Sequence, residues 1–389
     1  MLNLIILLKN LISDTYVLTE SDVSELYAVS ESVIDEVFSN KEFPKEEFVK
    51  SVLKRFRLVN TNSTSGKNLK FDEARMGEQV ALSCLVNALG EHVLLAEDEL
   101  LLYLDSDVQW LVSLAFSFLN QLTSPPLTTK IDTIFREMSK CGVNEYPYTT
   151  GESLKWYLEK DSYLYERVLK EYETGTDNFK YGILQTFSMI DKLPLVAENL
   201  IINQFEDESL YGMAVIAACR CVKRRSDAIK LLYNALSDDK FSVRGNAAVS
   251  LAMLKASNSE ILSRMEELLG DTEGYDWSVQ DKIIEALGMF GALARTSVPA
   301  LLNLLSEELK CDNEECNGYP VVKQYICWAL GEIGDDSSEV IDLLVEVVKQ
   351  GGWISAPEAI KTLKRFGFDD IFKSKKDAAG FVILNTGIT

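Results

Sequence analysis

The chain predicts an all-α fold, an alpha-alpha superhelix of tandem helix pairs, on three observations. Between Asn178 and Gly367 the sequence is self-similar: Phe179, Leu210, Val243, Val279, Val322 and Ser355 fall on one equivalent position, at offsets of 31, 33, 36, 43 and 33 residues. A period in this range marks a solenoid whose units cannot bury their apolar faces alone. Within each unit apolar residues recur at the 3.6-residue helical period, and period-two alternation is nearly absent. With 389 residues and 47% hydrophobic content, the chain can also bury an extensive core.

Taken in order, Leu2–Ile12 is apolar but interrupted by Asn3, Lys9 and Asn10. Eleven residues cannot span a bilayer, and the run lacks the basic flank and small-residue cleavage site of a signal peptide, so a buried first helix is expected. Residues 1–68 read as a helical cap closed by the loop-like tract Asn60–Asn68. Residues 69–140 read as degenerate repeats. Asp72–Leu89 pairs with Val93–Leu104, and Val108–Phe116 with Leu127–Met138 after the Pro125-Pro126 break. Residues 141–176 form an irregular insert rich in Tyr and Trp, and its helix Glu152–Glu173 lacks the small residues of the repeats. The array proper covers 177–367, and 368–389 is a C-terminal tail.

Two units show the repeat most clearly: Val279–Gly291 aligns without a gap onto Val322–Gly334. Both end in Ala-Leu-Gly-x-apolar-Gly. The first small residue lets a neighbouring helix approach closely, and the final glycine can take the left-handed conformation that ends a helix. Second helices are expected at Leu195–Phe205, Asp227–Leu236, Glu260–Leu269, Val298–Leu309 and Glu339–Val348. The acidic turns Glu206-Asp207, Asp238-Asp239 and Asp271 are placed to cap the following helix.

The blocks Val243-Arg244-Gly245-Asn246-Ala247-Ala248 and the Ala-Leu-Gly motifs around Leu287 and Leu330 resemble the HEAT-repeat family, in particular its short, phycobilisome-lyase-like branch. The resemblance implies a HEAT-like or armadillo-type solenoid whose second helices line a concave surface. The Val-Arg pair occurs only at Val243-Arg244, so no regular arginine ladder is expected beside the anchors.

Charge and rare residues narrow the function. There are 39 basic and 60 acidic residues, a net charge of −21, with the excess spread along the array. Such a field repels phosphate backbones and attracts basic partners, which argues against nucleic acid. Seven scattered cysteines suit a reducing, cytoplasmic compartment. The single histidine, His92, excludes metal sites built on two imidazoles and sits in a turn between predicted helices. Cys311 and Cys316 bracket an acidic loop, but two thiols lack the four ligands of a zinc site. Residues 271–276 lack the frame of a calcium loop, and no phosphate-binding or nucleophile-elbow motif occurs. Lys223-Arg224-Arg225 and Lys373–Lys376 are small basic islands. No catalytic residue, cofactor or metal is expected, and no membrane.

Docking residues follow from the helical period. Ile229, Leu232, Leu236, Ile261, Met265, Leu268, Leu302, Leu305, Leu344 and Val348 face inward. That leaves Tyr233, Asn234, Arg264, Glu267, Asn303, Glu307, Asp342 and Glu346 outward, a carboxylate-rich ridge for a basic protein partner. Tyr275, Trp277, Tyr319 and Trp353 are aromatic candidates at the edge preceding the first helices. The sequence therefore points to a non-enzymatic interaction protein, an inhibitor or immunity protein or a scaffold. The alternatives are a lyase or lyase-chaperone of the phycobilisome type and, against the charge, a nucleic-acid-binding repeat protein.

Overall fold

The computed structural model describes residues 2–13, 15–61, 73–104, 106, 108, 111–112, 114–115, 118, 131–140, 147–270, 277–310, 321–351, 354–368, 372–376 and 382–386. The chain divides into two compact bodies, Met1–Thr186 and Phe187–Thr389. The division falls inside the first helix of the array.

In the N-terminal body the helices are α1 (Leu2–Asn10), α2 (Glu20–Tyr27), α3 (Glu31–Ser39), α4 (Lys45–Thr61), α5 (Glu73–Leu89), α6 (Glu97–Tyr103), α7 (Ile131–Lys140), α8 (Pro147–Lys160) and α9 (Leu164–Thr174). Thr19 and Asp22 form a capping box that starts α2. Phe38, Phe43 and Phe48 pack ring against ring, with centroids 5.3 to 6.1 Å apart.

The run Gly77–Tyr103 is long and apolar enough to cross a membrane by length and composition. It is not one rod, because a 3-10 turn from Gly90 to Ala96 breaks it, with Gly90 at φ +49°. Ala81, Leu82, Leu85, Leu89, Leu100 and Tyr103 are buried in this body's core. The aromatic helix expected at Glu152–Glu173 is two helices, α8 and α9. The break falls at Asp161, whose carboxylate accepts from the Tyr163 amide at 3.0 Å and so competes with helix continuation.

The array begins with α10 (Asp177–Met189), followed by α11 (Leu195–Asn203), α12 (Tyr211–Ala217), α13 (Arg225–Ala235), α14 (Phe241–Met253), α15 (Ser259–Leu269), α16 (Trp277–Phe290), α17 (Val298–Lys310), α18 (Val321–Ile333), α19 (Ser338–Gln350) and α20 (Ser355–Arg365). The fold is an all-α, HEAT-like superhelix of helix pairs. All six anchors are buried: Phe179, Leu210, Val243, Val279, Val322 and Ser355. Two short strands follow, β1 (Phe372–Lys376) and β2 (Val382–Thr386). They pair antiparallel with Phe372 opposite Thr386, where the sequence suggested only a tail.

From α12 onward, neighbouring first helices pack much closer than neighbouring second helices. Small residues make this possible. A Cβ at Gly245 would stand 2.8 Å from Lys282 Cδ, one at Gly288 2.4 Å from Trp328 Cζ3, and one at Gly331 2.7 Å from Thr362 Oγ1. Hydroxyls then reach across the short gap. Ser250 donates to the Val215 carbonyl at 2.9 Å, and Thr362 to that of Cys327 at 2.8 Å.

Candidate functional site

The inward stripe of the second helices is buried as the period requires, except Ile229, which is half-buried. There Ala228 and Ala235 take the inward positions beside Leu232. On the opposite side Asn234, Glu267, Asn303, Glu307, Asp342 and Glu346 are exposed, and Tyr233 and Arg264 are half-buried. Together α15, α17 and α19 carry eight carboxylates against three cations.

Some of these groups answer one another. Arg264 Nη1 donates to Glu267 Oε2 at 2.6 Å, while Glu346 lies 3.7 Å from Lys349. Desolvation, and then a hydrogen bond to Glu260, raise the Tyr233 phenol above its ordinary value. Glu307 and Asp342 pair with no cation among the described residues. Trp277 opens α16. Tyr275, Tyr319 and Trp353, like Cys311 and Cys316, lie outside the described residues.

The acidic turns at Asp207 and Asp238 stabilise themselves instead of capping helices directly, and Asp271 lies outside the described residues. Asp207 Oδ1 accepts from the amides of Ser209 (3.0 Å) and Leu210 (3.3 Å), and Asp238 Oδ1 from that of Lys240 (2.8 Å). The residues at the formal cap positions, Leu210 and Lys240, contribute no side-chain bond. One cap comes from a neighbouring pair, where buried Glu198 accepts from the Arg224 amide at 2.7 Å at the start of α13, and Asn258 caps α15 locally by accepting from the Ile261 amide at 2.8 Å.

A regular ladder of cations does run along the stack, but it springs from the turns within pairs and not from the anchors. Arg225 Nη2 donates to the Leu254 carbonyl at 2.9 Å, Lys255 Nζ to that of Met289 at 2.6 Å, and Arg295 Nη2 to that of Gly334 at 2.9 Å. Each cation thus meets the C-terminal end of the next first helix, where the helix dipole is negative. Arg220 reaches the other way, to the Ser188 carbonyl at 2.7 Å.

Three of the cysteines are buried in the array. Burial pushes the thiols of Cys219, Cys221 and Cys327 up to about 11, 12 and 12, so they act as small hydrophobes. His92 Nε2 lies 2.9 Å from Asp35 Oδ1, and its ring packs edge-on against Phe38 at 4.8 Å. Glu31, Asp35, Glu91, His92, Leu94 and Leu95 line an open cleft of about 510 Å³ there. No group of three or more His, Cys, Asp or Glu residues is placed to hold a metal among the described residues.

No family model matches the chain, and no curated protein sequence does. Solved structures share its fold. Importin β superposes with a TM-score of 0.56 at 14% identity, over 92% of this chain and 52% of that one, so the chain spans about half of it. A Kap121p mutant matches at TM-score 0.43 and 14% identity, over 93% of this chain and 41% of that one. An engineered protein matches at 0.39 and 14%, over 94% and 99%. At this identity the likeness to importin β shows a helical-repeat solenoid and nothing finer; the two lower scores add no argument.

Proposed function

We propose that this protein is a non-enzymatic binding protein that holds a basic partner protein against the acidic solvent face of its second helices. The observation that carries the proposal is the exposed row Asn234, Glu267, Asn303, Glu307, Asp342 and Glu346, repeated pair by pair in a field of net negative charge. Such a row speeds encounter with a basic surface and selects against acidic ones. Tyr275, Trp277, Tyr319 and Trp353 are proposed as aromatic anchors bordering it. An inhibitor or immunity protein that neutralises a basic, nuclease-like protein is the sharper form of the idea, and a scaffold the broader. The cytoplasm is the compartment that suits the buried free thiols. Kinship with the phycobilisome-lyase-like branch rests on Val243–Ala248 and the Ala-Leu-Gly blocks alone. A lyase site for an acidic pigment calls for cations where this face offers carboxylates.

The test is affinity capture at graded salt, with mass spectrometry, using the natural chain and the triple variant Glu307→Lys, Asp342→Lys, Glu346→Lys. The expected result is a basic protein retained by the natural chain, released by salt and lost in the variant. Capture unaffected by charge reversal refutes the proposal.

A further inference from the structure

The turns within the helix pairs form an edge that the acidic row does not use. Among the described residues of 187–389, the large apolar side chains that stand exposed are Leu195, Val196, Val222, Met253 and Leu293. All five sit at or beside a turn between the first and second helix of a pair. Val222 is 62% and Leu293 55% exposed, too open to serve the core.

The same turns are basic in an acidic chain. Residues 190–196, 220–227, 255–260 and 291–297 hold seven cations and three carboxylates. Lys223, Arg225 and Lys255 are exposed and pair with no carboxylate among the described residues. Each donates to a backbone carbonyl, Lys223 to that of Leu193 at 3.1 Å, so its charge is not cancelled. Those bonds also show that successive turns are adjacent, making the edge continuous from 192 to 295. It ends at Asp335 and Asp336; Asp335 lies 3.8 Å from Arg295. The opposite edge, at Glu206-Asp207-Glu208 and Asp238-Asp239, is acidic.

We propose that this edge is a second docking surface, which takes an acidic peptide segment of a partner protein carrying an apolar residue at regular intervals. Charge complementarity selects the segment, and the exposed Val222, Met253 and Leu293 give it one apolar foothold per pair. Packed helices stand roughly 8–10 Å apart and an extended chain advances about 3.3 Å per residue, so an apolar residue every third position matches the step. The inference stands on the turn edge alone and is independent of the acidic row.

The experiment uses fluorescence anisotropy of a fluorescein-labelled synthetic peptide repeating Asp-Glu-Leu, titrated with the full chain. Binding is expected to weaken about tenfold or more in Val222→Asp/Leu293→Asp, which removes the footholds, and in Lys223→Glu, which inverts the charge. These positions are exposed, and thermal melts confirm that the variants remain folded. The variant Glu307→Lys/Glu346→Lys should bind the peptide at least as well as the natural chain. Failure to bind, insensitivity to both edge variants, or displacement of the peptide by short single-stranded DNA overturns the inference.

Discussion

Gly288→Ala tests the close approach of first helices on which the stack depends. Gly288 lies in α16 facing α18, and an added Cβ would meet Trp328 Cζ3 at 2.4 Å, Cη2 at 2.9 Å and Cε3 at 3.0 Å. Carbon atoms rest at about 3.5–4.0 Å, so roughly 1 Å of overlap must be relieved. The indole is rigid, and α18 is tied on its far side by the bond from Thr362 to the Cys327 carbonyl. Two effects oppose each other. Alanine gains about 1 kcal/mol of helix propensity over glycine, whereas forcing extra volume into a packed contact costs about 1–3 kcal/mol. Overlap with a planar ring wins, and a net loss of up to about 2 kcal/mol is expected.

The Trp328→Ala background decides the cause. With the ring gone, Gly288→Ala should become stabilising by about 1 kcal/mol, so the substitution changes sign between backgrounds. Urea unfolding followed by far-UV circular dichroism measures all four members of the cycle. If alanine at 288 stabilises the protein while Trp328 is present, the packing argument is wrong.

Other predictions concern the ladder and one half-buried acid. Among the described residues Lys255 is the non-glycine residue at positive φ (53°), where the equivalent ends of α16, α18 and α20 have Gly291, Gly334 and Gly367. Lys255→Gly should therefore be more stable than Lys255→Ala by about 1 kcal/mol, since both lose the bond to Met289 but only glycine relieves the left-handed strain; thermal melts decide. Arg295→Ala removes the donor to Gly334 and should cost about 0.5–1.5 kcal/mol in urea unfolding, with Arg295→Lys recovering part of it. Asp281, whose Oδ1 is buried without a hydrogen-bond partner, has its carboxyl pushed up by burial to about 6 from 3.8. The folded state then binds more protons than the unfolded one between these values, so this group's contribution favours folding at low pH and is lost as pH rises from about 4 to 6. Asp281→Asn should gain stability relative to the natural chain across that window, and an unchanged difference in urea midpoints from pH 4 to 7 would contradict it.

Much of the fold could be read in the sequence because it is local. The six anchors are buried, and the glycines closing the Ala-Leu-Gly blocks, Gly291 and Gly334, adopt φ of +59° and +73°. The cation ladder was hidden for a physical reason. Arg225, Lys255 and Arg295 follow their anchors by 15, 12 and 16 residues, so no alignment of the repeats brings them into one column. They converge only because turns of different length end at the same edge. The aromatic insert misled differently: strong helix formers on both sides of Asp161-Ser162 hid the turn there, which a side-chain bond to the backbone decides.

The sequence by itself determined the helix pairs and the faces they bury, since both follow from a 3.6-residue period that each segment carries within its own length. Only the tertiary structure decided which residues of one pair meet the next. Trp328 over Gly288, Lys255 on the Met289 carbonyl and the apolar, basic turn edge all depend on the step between pairs. That step is set by how closely small residues let two helices approach, and neither helix encodes it alone.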